Sequence, residues 1–328
     1  MNVTVIRAGF LTTVQDLGRT GYRQSGVAAG GALDQHAHKV ANLLVGNEPE
    51  CAGLEATLGQ LRLRFVDDRL VAWCGGDFSA RGGALDLPPG RAAFIRKDEE
   101  LQLTASAAGG RAWLAISGGI DLPLILGSRS TDLLSKFGGF RGRALRDGDI
   151  LSLARHSDRV ALSAKRLAAA RIADWSAPRE WTSTAPSHPF VRLVPGADRP
   201  RFQESAWSAL VQETFNVMPD SDRMGVRLKG PALLRVKQEE LLSEAVAPGT
   251  IQVPPSGDPI LLLGDCQTVG GYPKIAHVIT VDLAAAAQLG PGDTVRFAEV
   301  SLAEAHQLLI ERERDLQRFK VGLALRTS

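Results

Sequence analysis

Gly264-Asp265-Cys266-Gln267-Thr268-Val269-Gly270-Gly271-Tyr272-Pro273-Lys274 lies between two short apolar runs, Ile260 to Leu263 and Ile275 to Ile279. Runs of this length read as buried strands. A plain hairpin needs only about two to five connecting residues. The longer loop gathers an acid, an amide, a hydroxyl, a phenol and an amine, which makes it a site candidate. Gly270-Gly271 allows positive φ or a close ligand approach, and Pro273 fixes the exit. The competing reading is a wide loop whose side chains cap its own backbone.

Working outward, the chain alternates many short apolar runs with turn residues. Val3–Ala8, Leu58–Phe65, Leu70–Trp73, Ala92–Ile95, Leu101–Thr104 and Ala112–Ile116 read as strands. Asp67-Asp68 is read as a turn. Asp34 is placed as an N-cap for a helix carrying Ala37, Val40, Ala41, Leu44 and Val45, stopped by Gly46. Residues 161–174 are rich in Ala, Lys and Arg and predict a helix. Ser176 to Pro189 reads as linker. Ser301 and Glu304 form a capping box for a helix over 302–319.

The two halves echo one another. Leu145-Arg146-Asp147-Gly148-Asp149-Ile150-Leu151-Ser152-Leu153 matches Leu289-Gly290-Pro291-Gly292-Asp293-Thr294-Val295-Arg296-Phe297 as L-x-x-G-D-x-[LV]-x-[LF]. Upstream, 112–119 parallels 260–271, and 58–65 parallels 228–236. The order is the same in both halves, which predicts a duplicated β domain. The expected fold is mainly β, two similar β-barrels with a few helices. The first barrel covers 1–160 and the second 190–300, with helix and linker at 161–189 and a C-terminal helix at 301–328. Closed β domains remove sticky edges.

Composition narrows the functions. The 328 residues suit two domains, and 44% hydrophobic content suits a sizeable core. A net charge of +2, with no basic block interleaved with aromatics, argues against nucleic acid. Met1 to Thr13 lacks a signal-peptide core, and no run reaches membrane-span length. Three dispersed cysteines fit a reducing cytoplasm. There is no P-loop, G-x-G-x-x-G, G-x-S-x-G or H-E-x-x-H motif. His36 and His38 have no third ligand at metal spacing, so no metal site is expected. No methionine precedes a lysine, so no covalently attached biotin is expected.

Several motifs carry a family resemblance. Val14-Gln15-Asp16-Leu17-Gly18-Arg19, Gly30 to Asp34, Ala41 to Asn47 and Leu54 to Leu58 resemble the first half of the allophanate hydrolase subunit 2 family. Ser221-Asp222-Arg223-Met224-Gly225, Gly249 to Pro254 and Gly264 to Lys274 resemble its second half. The family includes part of the carboxyltransferase domain of urea carboxylase, and the C subunit of 5-oxoprolinase with its relatives. The resemblance implies two cyclophilin-like β-barrels and a partner from the subunit 1 family. It implies an ATP-dependent enzyme of three subunits that opens 5-oxoproline to glutamate and is inactive as a lone chain. The alternatives are a carboxyltransferase component served by a separate biotin carrier, and a regulator that antagonises its subunit 1 partner.

Candidate catalytic residues are Asp265, Lys274 and Tyr272. Candidate substrate- or nucleotide-binding residues are Gln15, Asp16, Arg19, Asp222, Arg223, Gln267, Thr268, Gly270 and Gly271. Arg19, Arg223 and Lys274 are the cations available for ATP phosphates. Asp16 with Arg19, and Asp222 with Arg223, have two readings: an anion-binding pair or a brace for the loop. Glu55 sits in an apolar stretch, and a buried carboxylate requires partners. Cys266 reads as a packed thiol rather than a nucleophile. His277 reads as a satisfied core histidine.

Overall fold

The computed structural model describes residues 1–106, 110–182 and 190–326. The chain divides into two units. One comprises Met1–Arg19, Gly30–Thr184 and Asp315–Ser328, the other Thr20–Ala29 and Ala185–Arg314.

In the first unit the elements are β1 (Asn2–Ala8), β2 (Leu11–Gln15), α1 (Gln35–Leu44), β3 (Gly53–Thr57), β4 (Gln60–Phe65), β5 (Arg69–Gly75), β6 (Phe78–Gly82), β7 (Leu85–Asp86), β8 (Ala93–Ile95), β9 (Glu100–Ala105), β10 (Arg111–Ile116), β11 (Ile150–Ser152) and α2 (Asp158–Ala170). They form a six-stranded sheet, β11-β1-β4-β9-β6-β7, and a five-stranded sheet, β2-β3-β10-β5-β8. Val5, Leu63, Phe65 and Leu103 from the first sheet share one core with Leu54, Trp73 and Leu114 from the second. Truncating a buried leucine such as Leu63 to alanine typically costs about 2–5 kcal/mol. β4 and β5 fall in different sheets, so Asp67-Asp68 is a crossing between sheets rather than a hairpin turn.

Helix ends follow local chemistry. Asp34 Oδ1 accepts from Ala37 N at 2.9 Å, and Gly46 takes φ +76° just past the end of α1. α2 begins at Asp158, earlier than the expected 161, because Ser157 Oγ accepts from Val160 N. Of the expected linker, residues 183–189 lie outside the described residues.

The second unit contains β12 (Phe190–Pro195), α3 (Glu204–Gln212), β13 (Thr214–Val217), β14 (Gly225–Lys229), β15 (Glu244–Ala245), β16 (Thr250–Gln252), β17 (Ile260–Leu262), β18 (Val269–Gly270), β19 (Lys274–Val278), α4 (Leu283–Ala286) and β20 (Thr294–Glu299). Seven strands close a barrel in the order β12-β19-β16-β17-β14-β13-β20. The seam is the parallel pair β12/β20. The aromatic rings of Phe215 and Phe297, both fully buried, lie 6.1 Å apart. α5 (Leu302–Arg326) follows, with Ser301 Oγ accepting from Glu304 N at 3.1 Å. The protein is mainly β, as the short alternating runs predict.

The repeated L-x-x-G-D motif folds the same way twice. Asp149 Oδ2 accepts from Arg146 N at 2.7 Å, and Asp293 Oδ2 accepts from Gly290 N at 2.8 Å. Gly148 and Gly292 take φ +86° and +90°, which glycine adopts without strain. Gly148 N donates to Val5 O, and Gly292 N to Val217 O. Two antiparallel runs result, β11-β1-β4-β9 and β20-β13-β14-β17. Of the stretches paired by sequence, Leu228–Val236 overlaps the last two residues of β14, and 260–271 begins with β17.

Candidate functional site

The polar residues of the 264–274 loop divide between two places. Asp265 is buried, and the Arg223 guanidinium grips both its oxygens, Nε to Oδ2 at 2.8 Å and Nη2 to Oδ1 at 3.0 Å. Asp265 N also donates to Arg223 O. The pair ties the loop to the turn before β14. Asp222 caps that turn, accepting from Met224 N at 2.7 Å and Gly225 N at 3.2 Å. Asp222 and Arg223 therefore make the contacts of a loop brace.

Lys274 begins β19 and faces elsewhere. Its ammonium pairs with the Glu244 carboxylate and lies 3.5 Å from Asp198 Oδ2. Its backbone N–H donates to the same Asp198 oxygen at 3.0 Å. β15 pairs with β18 in the register Glu244↔Gly270, which carries Glu244 over the lysine. These residues line an open cleft of about 330 Å³ with Tyr272, Gly270 and Gly271. Asp265 does not line it. The structure thus brings together Lys274, Tyr272 and the glycine pair, and separates Asp265 from them.

Burial pulls the Lys274 amine down, but the Glu244 hydrogen bond and the Asp198 charge raise it further, to a net value above the ordinary lysine range. Lys274 is therefore a fixed cation. Glu244 is mostly exposed and can leave it. A ligand carboxylate can take the place of Glu244 on the ammonium, with the half-exposed Tyr272 phenol beside it.

Gln252, wholly buried, supports this loop from below. Its Nε2 donates to Tyr272 O at 3.0 Å, and its Oε1 accepts from Gln267 Nε2 at 3.3 Å. A Cβ on Gly270 would meet the Gln252 amide at 2.8 Å, so this glycine serves close packing. Neither Gly270 nor Gly271 is among the positive-φ residues. Thr268 contributes its carbonyl to Val246 N. His277 is half-buried, with Nδ1 3.2 Å from Thr250 Oγ1. Burial and the charge of Lys274 push it below its ordinary value.

In the first unit, the Gln15–Arg19 motif is an anchor. Asp16 Oδ1 accepts from Gly18 N at 2.8 Å and from the hydroxyls of Ser128 and Ser130 at 2.6 Å each. Its Oδ2 accepts from Arg129 N. Arg19 is buried, donates to Ser130 O and stacks 4.6 Å over the Phe137 ring. Gln15 Nε2 donates to Thr13 Oγ1 and Thr131 O. All three residues organise segment 128–137. Glu55, for which partners were required, accepts from Leu33 N and Trp113 Nε1, both at 2.9 Å.

His38 is buried against Cys51 O and Asn42, and burial holds its pKa at about 4. His36 meets the Trp181 ring edge-on at 4.8 Å. Among the described residues no three His, Cys, Asp or Glu side chains are placed to hold a metal ion. Burial raises all three thiols, Cys51, Cys74 and Cys266, so none is an activated nucleophile. Among the described residues no helix is long and apolar enough to cross a membrane.

Sequence reasoning missed Glu244 and Asp198, and noticed Gln252 only within a motif. Neither acid lies near Lys274 in sequence, so no spacing marks them.

Known proteins are similar to this chain over most of its length. Residues 25–299 match the family described as carboxyltransferase domain, subdomain A and B. The chain is 38% identical over 322 residues to the C subunit of 5-oxoprolinase from Escherichia coli, covering 98% of this chain and 97% of that protein. It is 35% identical to the C subunit of 5-oxoprolinase from Haemophilus influenzae, covering 92% of each. The crystal structure of Kluyveromyces lactis urea carboxylase superposes with a TM-score of 0.87 at 27% identity, over 98% of this chain and 29% of that one. With its family pattern matched across both halves, the chain belongs to the carboxyltransferase domain family, subdomains A and B.

Proposed function

We propose that this chain is the C component of a cytoplasmic 5-oxoprolinase-type complex, in which 5-oxoproline is opened to glutamate with cleavage of ATP. The observation that carries this reading is the end-to-end likeness to two bacterial 5-oxoprolinase C subunits. Its partners are a subunit 1 family protein and a third oxoprolinase subunit. The Lys274 cleft takes the carboxylate of the substrate. Tyr272 donates to the ring carbonyl or to a partner's group beside it.

Of the cations considered for phosphate, Arg19 is engaged on Ser130 and Arg223 on Asp265, and Lys274 is assigned here to the substrate carboxylate. That supports placing ATP on another subunit. It also supports a chain that is inactive alone.

The test is reconstitution with the neighbouring subunits. 5-Oxoproline-dependent ADP release is expected from the complex and not from this chain alone. Full activity of the isolated chain rejects the reading. A second reading, a carboxyltransferase component, draws on the likeness to urea carboxylase. It requires carboxyl transfer from a separate biotin carrier, which the same reconstitution can assay. Partner binding that lowers the partner's activity, with no turnover, identifies a regulator instead.

A further inference from the structure

The solvent face of the six-stranded sheet carries a row of arginines. The antiparallel register sets Arg7 on β1 opposite Arg62 on β4, Arg62 opposite Gln102 on β9, and Gln102 opposite Arg81 on β6. Arg64, further along β4, lies opposite Glu100. Alternate residues of the same strands, Leu61, Leu63, Leu101 and Leu103, are in the core, so the arginines point the other way. Arg64 and Arg81 are more than half exposed.

Charge on this face is not balanced. Like charges directly opposite one another destabilise a strand pair, yet Arg7 faces Arg62. Arg7 donates to Gln60, an uncharged partner, at 3.2 Å. Glu100 is one carboxylate shared by Arg62 and Arg64. Asp86, opposite Arg81, lies at the sheet edge and is almost fully exposed.

Apolar side chains share the face. Ile150 on β11 is 56% exposed and sits opposite Thr4, which is itself opposite Arg64. Val66, the next outward residue after Arg64, is 45% exposed. Arginine is among the residues enriched at recognition surfaces. The outward residues of these strands include no Phe, Tyr or Trp on which a base could stack.

We propose that this sheet face docks an acidic, partly apolar surface of a partner subunit, with Arg7, Arg62 and Arg64 receiving its carboxylates and Val66 and Ile150 its apolar contact. The inference rests on the complex proposed above. Guanidinium forks match carboxylates bidentately, and a docked acid relieves the repulsion between Arg7 and Arg62.

The test uses the full-length chain and its co-expressed neighbouring subunits. Arg62→Glu/Arg64→Glu is the main variant, with Arg62→Gln/Arg64→Gln and Ile150→Asp beside it. Unchanged melting curves establish that each variant folds. At about 50 mM salt the charge reversal should raise the Kd for the partner roughly tenfold or more, and the gap should narrow near 500 mM as charges are screened. Ile150→Asp should weaken binding at both salts.

Affinities within twofold of wild type for all three variants, in a wild-type complex that assembles and turns over, overturn the docking face and leave the functional reading standing. A wild-type chain that assembles with no neighbouring subunit defeats the functional reading and this inference with it. An oligonucleotide bound through Arg62 and Arg64, with partner affinity unchanged in the variants, overturns the proposal in favour of nucleic acid.

Discussion

Arg223 and Asp265 form a bidentate ion pair from which solvent is almost excluded, the side chains being 4% and 8% exposed. The acid in the middle of the 264–274 loop thereby ties the loop to the turn before β14. Removing one partner of a buried pair strands the other charge, at about 3–5 kcal/mol. Asp265→Ala should lower the melting temperature of the second unit by roughly 10 °C. Replacing both partners, as Arg223→Met/Asp265→Leu, should recover much of that loss, because no charge is left buried. Calorimetry on the two variants is the check. A normal melting curve for Asp265→Ala would show that the pair holds nothing.

Lys274 separates chemistry from stability. In Lys274→Ala, Asp198 keeps Arg201 at 3.2 Å and the backbone N–H of residue 274. The stability loss should therefore stay at about 1–3 kcal/mol, because Asp198 keeps other donors and Glu244 is mostly exposed. Because the ammonium anchors the substrate carboxylate, kcat/KM in the assembled complex should fall by about 10–100-fold. A normal kcat/KM would move the site off this cleft.

The raised pKa of Lys274 has a defined signature. A lysine raised in the folded state binds its proton more tightly there than in the unfolded chain. Its contribution is complete below the ordinary 10.5 and is lost as pH rises past that value through the folded one. Lys274→Met should flatten that part of an alkaline unfolding curve.

His38 titrates in the opposite sense. It is neutral when folded, with a pKa of about 4 against the ordinary 6.5. Between those values the unfolded chain binds the proton and the folded chain does not. Stability therefore rises with pH across that window, by on the order of 3 kcal/mol in all. Acid unfolding followed from pH 7 to pH 4 should be steeper for wild type than for His38→Gln. Equal slopes would assign the acid sensitivity to other groups.

Asp16 gathers four donors from Gly18, Ser128, Arg129 and Ser130. Asp16→Ala leaves them without their acceptor and should cost about 2–4 kcal/mol. Segment 121–142 should become the first site of limited proteolysis. Gly138→Ala should act on the same place, because its Cβ would lie 2.2 Å from both Ser130 O and Arg19 Nη2, at φ +67°. Unchanged proteolysis in both variants would show that the segment is held by other contacts.

Local chemistry was legible in the sequence. The L-x-x-G-D motifs specify a turn in which Asp149 and Asp293 cap an N–H three residues back, and each glycine supplies the positive φ. Asp34 and Ser301 announce their helices because a cap acts within one turn. Glu55, in an apolar run, had to find donors, and it takes Trp113 Nε1 and Leu33 N.

What the sequence by itself determined was the mainly β class, the repeated turn and the family. Each is written in contacts within a few residues or in motifs read in order. Only the tertiary structure decided how the candidate residues divide. Asp265 and Lys274 bracket one loop, but alternation along the backbone and the barrel's register send them to different partners. Arg223 takes the acid, while Glu244 and Asp198 take the amine. The parallel closure of β12 on β20, and the alignment of Arg7 with Arg62, are likewise pairings between segments far apart in the chain. Such pairings are set by the sheets as a whole, where burying one face of every strand fixes the register, and no local run of residues encodes them.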